Sequence, residues 1–292
     1  APAPSRRTVC AAPDGAVWAG TQTGGLNRVD PAHGTCRVYR HQPGIPASLA
    51  HDSVLALCVD RSGTLWAGTN GGLDRWDPAH GGFVHHRPDP ADSASLSNPV
   101  VVAILEDDEG ALWVGTEGGL NRLDRATGRF TRYRHDARDP NSLPHDNVLS
   151  LYQDREGRLW VGTVGGAALL DRATGRFRSF QAERTRPDSF RSNLIITMTE
   201  DDGGTLWFGT GAGASRHNPY NCRFGRIAPD PYHPNSLGAP TVRAIRMDRA
   251  GMLWVGLVDG GLDRIDLSAV RYTHWRHNHD DQYRQHRDEH RA

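Results

Sequence analysis

A tryptophan recurs along this sequence at a nearly constant interval. The repeated residues are Trp18, Trp66, Trp113, Trp160, Trp207 and Trp254, separated by 48, 47, 47, 47 and 47 residues. The first five are followed by x-Gly-Thr, and after the sixth Leu257 stands in place of Thr. A fixed period of this length is typical of repeat proteins, in which each unit needs its neighbours to bury its apolar surface. We therefore expect a single repeat array.

One unit can be interpreted strand by strand. Val100–Leu105 is short, apolar and rich in β-branched residues, which predicts a buried strand. A glycine turn leads to a second strand at 111–116, and alternating apolar and polar residues at 120–124 and 130–135 predict two more. Four antiparallel strands without a helix are the content of a β-propeller blade. Solenoids fit less well, because β-helix repeats are shorter and leucine-rich repeats lack a central Trp hairpin.

The predicted fold is all-β, a β-propeller of six four-stranded blades that form either a complete ring or part of a larger one. The blades are expected at 8–46, 47–93, 94–140, 141–187, 188–234 and 235–277. Residues 1–7 and the charged tail at 278–292 are expected to be disordered, because neither carries an apolar pattern.

The links between blades also follow the period. A Ser and an apolar residue recur every 47 residues as Ser48-Leu49, Ser95-Leu96, Ser142-Leu143, Ser189-Phe190 and Ser236-Leu237. We expect the apolar side chain to fill the space between blades and the Ser hydroxyl to bond local backbone.

Composition narrows the function classes. The formal net charge is zero, so nothing indicates a nucleic-acid or anionic-membrane partner. All 34 basic residues are Arg, which excludes Schiff-base and lysine-base chemistry. No stretch approaches the roughly 18–20 apolar residues of a membrane span.

Metal, cofactor and catalytic signatures are weak. The four cysteines show no Cys-x-x-Cys spacing, and Cys10 and Cys58, at equivalent strand positions, are expected to be small buried residues. His274, His277 and His279 lie in a polar tail, where such clusters are more often incidental than metal-binding. The acidic loops lack the calcium-loop pattern and are interpreted as hairpin turns. We therefore predict no cofactor, no metal and no catalytic residue.

Binding residues are sought where the repeats differ. The residues just before each inner strand vary between blades and, in a propeller, surround one mouth of the central funnel. His, Asp, Asn and Arg side chains suit the hydroxyl groups of a sugar. The predicted ligand-binding residues are His51, Asp52, Asn98, His145, Asp146, Asn147, Arg191 and Asn193. Arg243 either faces the channel or reaches solvent at the sheet edge.

The pattern Asp-x-x-Gly-x-Leu-Trp-x-Gly-Thr-x-x-Gly-Leu-x-Arg-x-Asp, complete at 107–124 and close at 60–77, resembles the two-component regulator propeller repeat. The resemblance covers about residues 8–275, with departures at Ala167-Ala168 and Gly213-Ala214. It implies a periplasmic ligand-sensing region of a bacterial receptor, joined beyond a membrane span to a histidine kinase or diguanylate cyclase. Members of the family often recognise carbohydrate breakdown products. This sequence contains neither a kinase nor a cyclase motif.

Three functions follow as hypotheses. The first is a sensor that binds a small molecule or oligosaccharide without turnover and acts with signalling domains in a parent chain, with a homodimer also considered. The second is a metal-dependent enzyme similar to streptogramin lyase, with His51 and His145 as the first candidate bases. The third is a protein-interaction scaffold. The ligand, the signalling output and the number of blades in a parent protein stay open.

Overall fold

The computed structural model describes residues 8–183, 185–186, 188–218, 223–233, 235–269 and 271–276. Those residues contain 24 strands and no helix, and the strands pair in chain order into six four-stranded sheets. The predicted all-β propeller of six blades is confirmed. The segments predicted to be disordered, together with His277 and His279, lie outside the described residues.

The chain forms two compact units, which are described separately. The first holds the described residues up to Gln181 together with Asn193–Ile195, and the second holds Ala182–Ser192 and the described residues from Ile196 onward.

The first unit contains blades one to four. Their strands are β1 (Thr8–Ala11), β2 (Val17–Gly20), β3 (Leu26–Asp30), β4 (Thr35–Tyr39), β5 (Val54–Val59), β6 (Leu65–Thr69), β7 (Gly72–Asp77), β8 (Gly82–His86), β9 (Val101–Glu106), β10 (Leu112–Thr116), β11 (Gly119–Leu123), β12 (Phe130–Tyr133), β13 (Val148–Gln153), β14 (Leu159–Thr163), β15 (Gly166–Asp171) and β16 (Arg176–Phe180).

Blades five and six belong to the second unit, apart from Ile195, the first residue of β17. Their strands are β17 (Ile195–Glu200), β18 (Leu206–Thr210), β19 (Gly213–Asn218), β20 (Arg223–Ile227), β21 (Val242–Met247), β22 (Met252–Leu257), β23 (Gly261–Asp266) and β24 (Arg271–Trp275).

The Asp that stands six residues before the repeat Trp closes the first hairpin and also holds the indole. Asp107 Oδ1 accepts the backbone N–H of Glu109 at 3.1 Å and of Ala111 at 2.8 Å, while Oδ2 accepts Trp113 Nε1–H at 2.7 Å. The same indole bond, at 2.7–2.9 Å, is made by Trp66, Trp160, Trp207 and Trp254. The acidic loops are hairpin turns, as predicted. The indole bond was missed, although the constant six-residue spacing was a signal for it.

Four of the repeat tryptophans, Trp18, Trp66, Trp113 and Trp207, pack against the following blade. Trp113 of blade three lies in one apolar cluster with Leu143, Leu159 and Phe177. Tyr133, the fourth-strand aromatic beside Trp113, meets the Phe177 ring edge-on at 5.8 Å and 83°. Each buried aromatic removes up to ~150–250 Å² from water, so this contact is a main source of cohesion between blades.

The Gly of Trp-x-Gly-Thr makes room for the next inner strand. A Cβ built on Gly115 would lie 2.6 Å from Val148 Cγ1. Gly20, Gly68 and Gly209 have the same relation, at 2.6 Å, to a Val of the following blade. The motif therefore requires glycine because the inner strand of the next blade packs directly on the backbone there.

The links behave as expected. In the link from blade three to blade four, Ser142 Oγ accepts the N–H of Asp136 at 2.9 Å and donates to its carbonyl at 3.0 Å. Leu143 is fully buried. Ser and the apolar residue thus shape and anchor each link.

A pair of polar side chains on the outer strands holds the incoming link. In blade two, Asp74 Oδ2 accepts the N–H of Ala50 at 2.7 Å, and Oδ1 accepts His85 Nδ1–H at 2.6 Å. His85 Nε2 lies 2.7 Å from the Pro46 carbonyl, so both ring nitrogens face acceptors. Its hydrogen bond to Asp74 raises the pKa of His85 against the opposing effect of burial. Asn121 and Arg132 hold the link of blade three in the same way.

Ion pairs also join neighbouring blades. Arg125 of blade three reaches Asp60 of blade two at 2.7 Å and Glu106 at 2.8 Å. Burial opposes ionisation of Asp60, but the hydrogen bonds from Ser62, Trp66 and Arg125 outweigh it and lower the pKa of Asp60 to about 2. The carboxylate is therefore charged at neutral pH and buried with its partners.

Candidate functional site

The entry loops of blades two, three and four share one local turn. In each, a side-chain acceptor receives the backbone N–H two residues later. The three bonds, each of 2.9 Å, run from Ser53 N to His51 Nδ1, from Val100 N to Asn98 Oδ1 and from Asn147 N to His145 Nδ1. A backbone N–H can only donate, so Nδ1 of both histidines is unprotonated in this arrangement and Nε2 carries the hydrogen of the neutral ring.

This turn leaves one donor per loop for a ligand. His51 and His145 are exposed, and Asn98 is partly buried. Each therefore offers an N–H group, the imidazole Nε2–H or the amide Nδ2–H, at equivalent places in three successive blades of the first unit. Such a series of donors matches a molecule that is rich in oxygen acceptors.

Asp52 and Asp146, the two aspartates of the predicted set, connect neighbouring blades through hydrogen bonds. Asp52 Oδ1 accepts the N–H of His41 at 2.8 Å, and Asp146 Oδ1 accepts the N–H of His135 at 2.7 Å. Each bond joins the end of one blade's outer strand to the entry loop of the next. Both aspartates are partly buried, and their first role is to fix the loops that carry the donors.

Asn147 has an unsatisfied acceptor. Its Oδ1 is buried and has no hydrogen-bond partner among the described residues. Its backbone is fixed, since its N–H goes to His145 and its carbonyl accepts the N–H of Val164 at 3.2 Å. A buried acceptor without a partner costs about 1–3 kcal/mol, so a ligand donor or a water molecule that reaches it is favoured.

The remaining predicted residues divide between the units. Arg191 is exposed and belongs to the second unit, whereas Asn193 is partly buried, belongs to the first and has an interaction partner. The structure brings together His145, Asp146 and Asn147 in one loop, with His51, Asp52 and Asn98 at the matching places of two other blades in the same unit.

Arg243 lies where β21 and β22 shift register, between Val242 and Ala244. It is partly buried and has an interaction partner, and burial lowers the pKa of its guanidinium. Both sequence interpretations, that Arg243 faces the channel or reaches solvent at the sheet edge, stay predictions.

The His, Cys and acidic residues of the described part of the chain were compared with the groupings that bind metal ions. No group of three or more His, Cys, Asp or Glu residues there could hold a metal ion. His274 instead donates to buried Asp263 at 2.6 Å. Cys10 and Cys58 are partly buried, and burial, together with the neighbouring Cys58 thiol, raises the pKa of Cys10 to about 11. Cys36 is exposed.

The matches to a known protein family recur with the period of the repeat. The family model described as "Two component regulator propeller" matches at residues 48–71, 95–118, 142–165 and 189–212. A search of curated proteins finds no match. Among the described residues, no helix has the length and apolar character needed to cross a bilayer.

Solved structures share the fold. The extracellular domain of a hybrid two component system from B. thetaiotaomicron is 24% identical with a TM-score of 0.73, covering 88% of this chain and 32% of that one. Virginiamycin B lyase from Staphylococcus aureus is 16% identical with a TM-score of 0.66, covering 92% of this chain and 83% of the lyase. PorZ, a surface component of the type-IX secretion system of Porphyromonas gingivalis, is 18% identical with a TM-score of 0.64, covering 87% and 37%.

This chain therefore spans about a third of the B. thetaiotaomicron domain that it resembles. The matched repeats carry the Trp, Gly and Ser-Leu positions whose contacts build the blades. The model of the two-component regulator propeller repeat thus matches four segments of this chain, which together make up about a third of it.

Proposed function

We propose that this chain is an extracytoplasmic ligand-sensing module of a bacterial signal-transduction receptor, and that it binds a carbohydrate-like small molecule at the entry loops of its inner strands. The observation that carries the proposal is the shared turn of three blades, which presents His51, Asn98 and His145 as donors. The unsatisfied Oδ1 of Asn147 adds an acceptor beside them.

The chemistry of a saccharide suits this set. Each hydroxyl group both donates and accepts, so it can receive an imidazole or amide N–H and donate to an acceptor such as Asn147 Oδ1. Asp52 and Asp146 hold the loops in place, so little conformational freedom is lost on binding. Asn193, which belongs to the same unit, is a further predicted residue of this set, and Arg191 stays a separate prediction in the second unit.

The receptor context is inferred from relatives. The B. thetaiotaomicron structure is the extracellular domain of a hybrid two component system, which supports an extracytoplasmic location and signalling domains in a parent chain. A homodimer is a further prediction, and sedimentation of the purified chain measures it.

The test replaces Asn147 by the residue that blade three has at the equivalent position. In blade three this position is Val100. Asn147→Val therefore removes the unsatisfied acceptor and introduces an apolar residue that the same turn already accommodates. We expect an unchanged or higher melting temperature, and roughly fivefold weaker binding of the saccharide that stabilises the wild type, since one hydrogen bond contributes about 1 kcal/mol. Thermal shift against a saccharide panel identifies that ligand, and titration calorimetry measures both affinities.

His145→Asn is the matched control for the turn. Asn98 shows that an amide makes the same cap, so this variant should fold normally and alter only the donor that faces the ligand. The proposal is wrong if no saccharide produces a saturable shift, or if Asn147→Val binds the saccharide as tightly as the wild type.

A lyase-type enzyme is the second candidate, because the virginiamycin B lyase fold covers most of both chains. His51 and His145 would then be the candidate bases, which requires the other tautomer, with a free Nε2, and therefore the loss of the hydrogen bond that each Nδ1 accepts from the backbone. Incubation with a streptogramin B compound and divalent metal, followed by mass spectrometry, decides the matter. EDTA-sensitive loss of substrate favours the enzyme, and saccharide binding without turnover favours the sensor.

A further inference from the structure

A groove of about 530 Å³ lies over the link from blade five to blade six, within the second unit. Its walls come from residues 229–233 and 236–238 and from His274 and Arg276 at the end of the sheet. Its size is in the range of small-molecule sites, about 300–1,000 Å³. None of the residues predicted from the sequence to bind ligand lines it.

The link holds an aromatic ring out into solvent on a rigid turn. Asp230 Oδ1 accepts the N–H of Tyr232 at 2.9 Å, and Oδ2 pairs with His233 Nδ1 at 2.8 Å. Ser236 Oγ accepts the N–H of Asp230 at 2.9 Å. Tyr232 is nevertheless 88% exposed, so the turn fixes the backbone that carries the ring, and the ring itself covers nothing.

The groove coincides with two departures from the repeat. Tyr232 stands where the other links have Gly44, Ala91, Arg138 and Thr185. Gly238 stands where they have Ala50, Ser97, Pro144 and Arg191. A Cβ on Gly238 would lie 3.4 Å from Arg276 Nη2 and 3.4 Å from Asp263 Oδ1. This link therefore gains a ring on one wall and loses a side chain beside the guanidinium on the other.

The charges of the groove are unequal. Asp230 is paired with His233, and Asp263 is paired with His274 at 2.6 Å. Arg276 is exposed and makes no ion pair with any residue that the structure describes. An uncompensated guanidinium recognises carboxylates through two parallel hydrogen bonds.

We propose that this groove is a second binding site, for a small cyclic carboxylate whose anionic group pairs with Arg276 and whose ring lies on Tyr232. The site goes beyond the proposed saccharide-sensing loops, because it uses other residues and a different chemistry. Aromatic acids and sugar acids share the required features, a monoanionic carboxylate next to a ring with an apolar face.

The experiment is a titration of the purified chain followed by ligand-observed saturation-transfer NMR. Benzoate and galacturonate are the two acids, and benzamide and galactose are their uncharged counterparts. We expect at least one acid to bind with a dissociation constant on the order of 1 mM, which is usual for ligands of this size. Whether benzoate, galacturonate or both bind identifies the source of the carboxylate.

The variants assign binding to the groove. Arg276→Gln and Tyr232→Thr should each weaken acid binding about tenfold or more. Arg276→Lys should retain part of it. Arg134, which takes the place of Arg276 in blade three, provides the matched control: Arg134→Gln should bind like the wild type.

The substituted side chains are exposed, so melting curves should coincide with that of the wild type. The proposal is overturned if neither acid binds saturably, if the uncharged counterparts bind equally well, or if Arg276→Gln leaves the affinity unchanged.

Discussion

Replacing Gly115 by Ala tests the close packing between blades three and four. The added Cβ would lie 2.6 Å from Val148 Cγ1, 3.2 Å from Val148 Cβ and 3.3 Å from Ala103 Cβ. Carbon atoms prefer separations of about 3.5–4.0 Å, so the new methyl overlaps Val148 by about 1 Å. Val148 is fully buried at the start of its strand, so it cannot turn its side chain aside without disturbing its neighbours in the core.

The expected cost follows from this overlap. Overpacking a close-packed core costs about 1–3 kcal/mol, and the lower chain entropy of Ala in the unfolded state returns about 0.4–1 kcal/mol. Gly115→Ala should therefore lower the free energy of unfolding by about 1–2 kcal/mol. Val148→Ala should cost about 2–3 kcal/mol through lost burial and a cavity. In the double variant the new methyl enters that cavity, so the total should be at least about 1 kcal/mol below the sum.

Unfolding in guanidinium chloride is measured for the wild type, the two single variants and the double variant. The midpoint reports stability, and the slope reports the surface exposed on unfolding. Gly256→Ala is the matched control, because Gly256 holds the same motif position in blade six. A Cβ there would meet nothing closer than Ala244 Cβ at 3.4 Å. It should leave stability unchanged or raise it by up to about 1 kcal/mol. Additive costs in the cycle, or an equal cost at Gly256, would refute the packing argument.

Three further predictions concern titratable side chains. The pKa of His85 is raised by its hydrogen bond to Asp74, so its stabilising effect is full below the unfolded value of 6.5 and is lost as pH rises through the folded pKa. Installing the Asn–Arg pair of blade three at positions 74 and 85 should abolish this dependence in melting curves from pH about 6 to about 9. Burial opposes ionisation of Asp60, yet three side-chain hydrogen bonds lower its pKa to about 2. Asp60→Asn should therefore lower the free energy of unfolding by about 2–4 kcal/mol at neutral pH. In acid unfolding experiments, the difference between the variant and the wild type should shrink as pH falls below 3.8 towards 2. Because burial raises the pKa of Cys10 to about 11 whereas Cys36 is exposed, iodoacetamide at pH about 8 should modify Cys36 first, and equal rates in peptide mass spectra would contradict this.

The candidate site was predicted only in part. The sequence located the entry loops, because they vary while the scaffold repeats, and the structure gives His51, Asn98 and His145 one shared turn there. It did not indicate that Asp52 and Asp146 fasten neighbouring blades, since their partners lie 11 residues earlier, just beyond the outer strand of the preceding blade. Whether the set binds a saccharide stays a prediction.

The sequence by itself determined the blade. Short apolar runs, turn glycines and the alternation of polar and apolar residues are local signals, and the 47-residue period repeats them until only a propeller fits. The tertiary structure decided what the constant residues contact. Gly115 is required by Val148 of the next blade, and Arg125 pairs with Asp60 of the preceding one. The reason is physical: hairpins form from neighbours in the chain, whereas contacts between blades join residues tens of positions apart, and no periodicity states which atoms then meet.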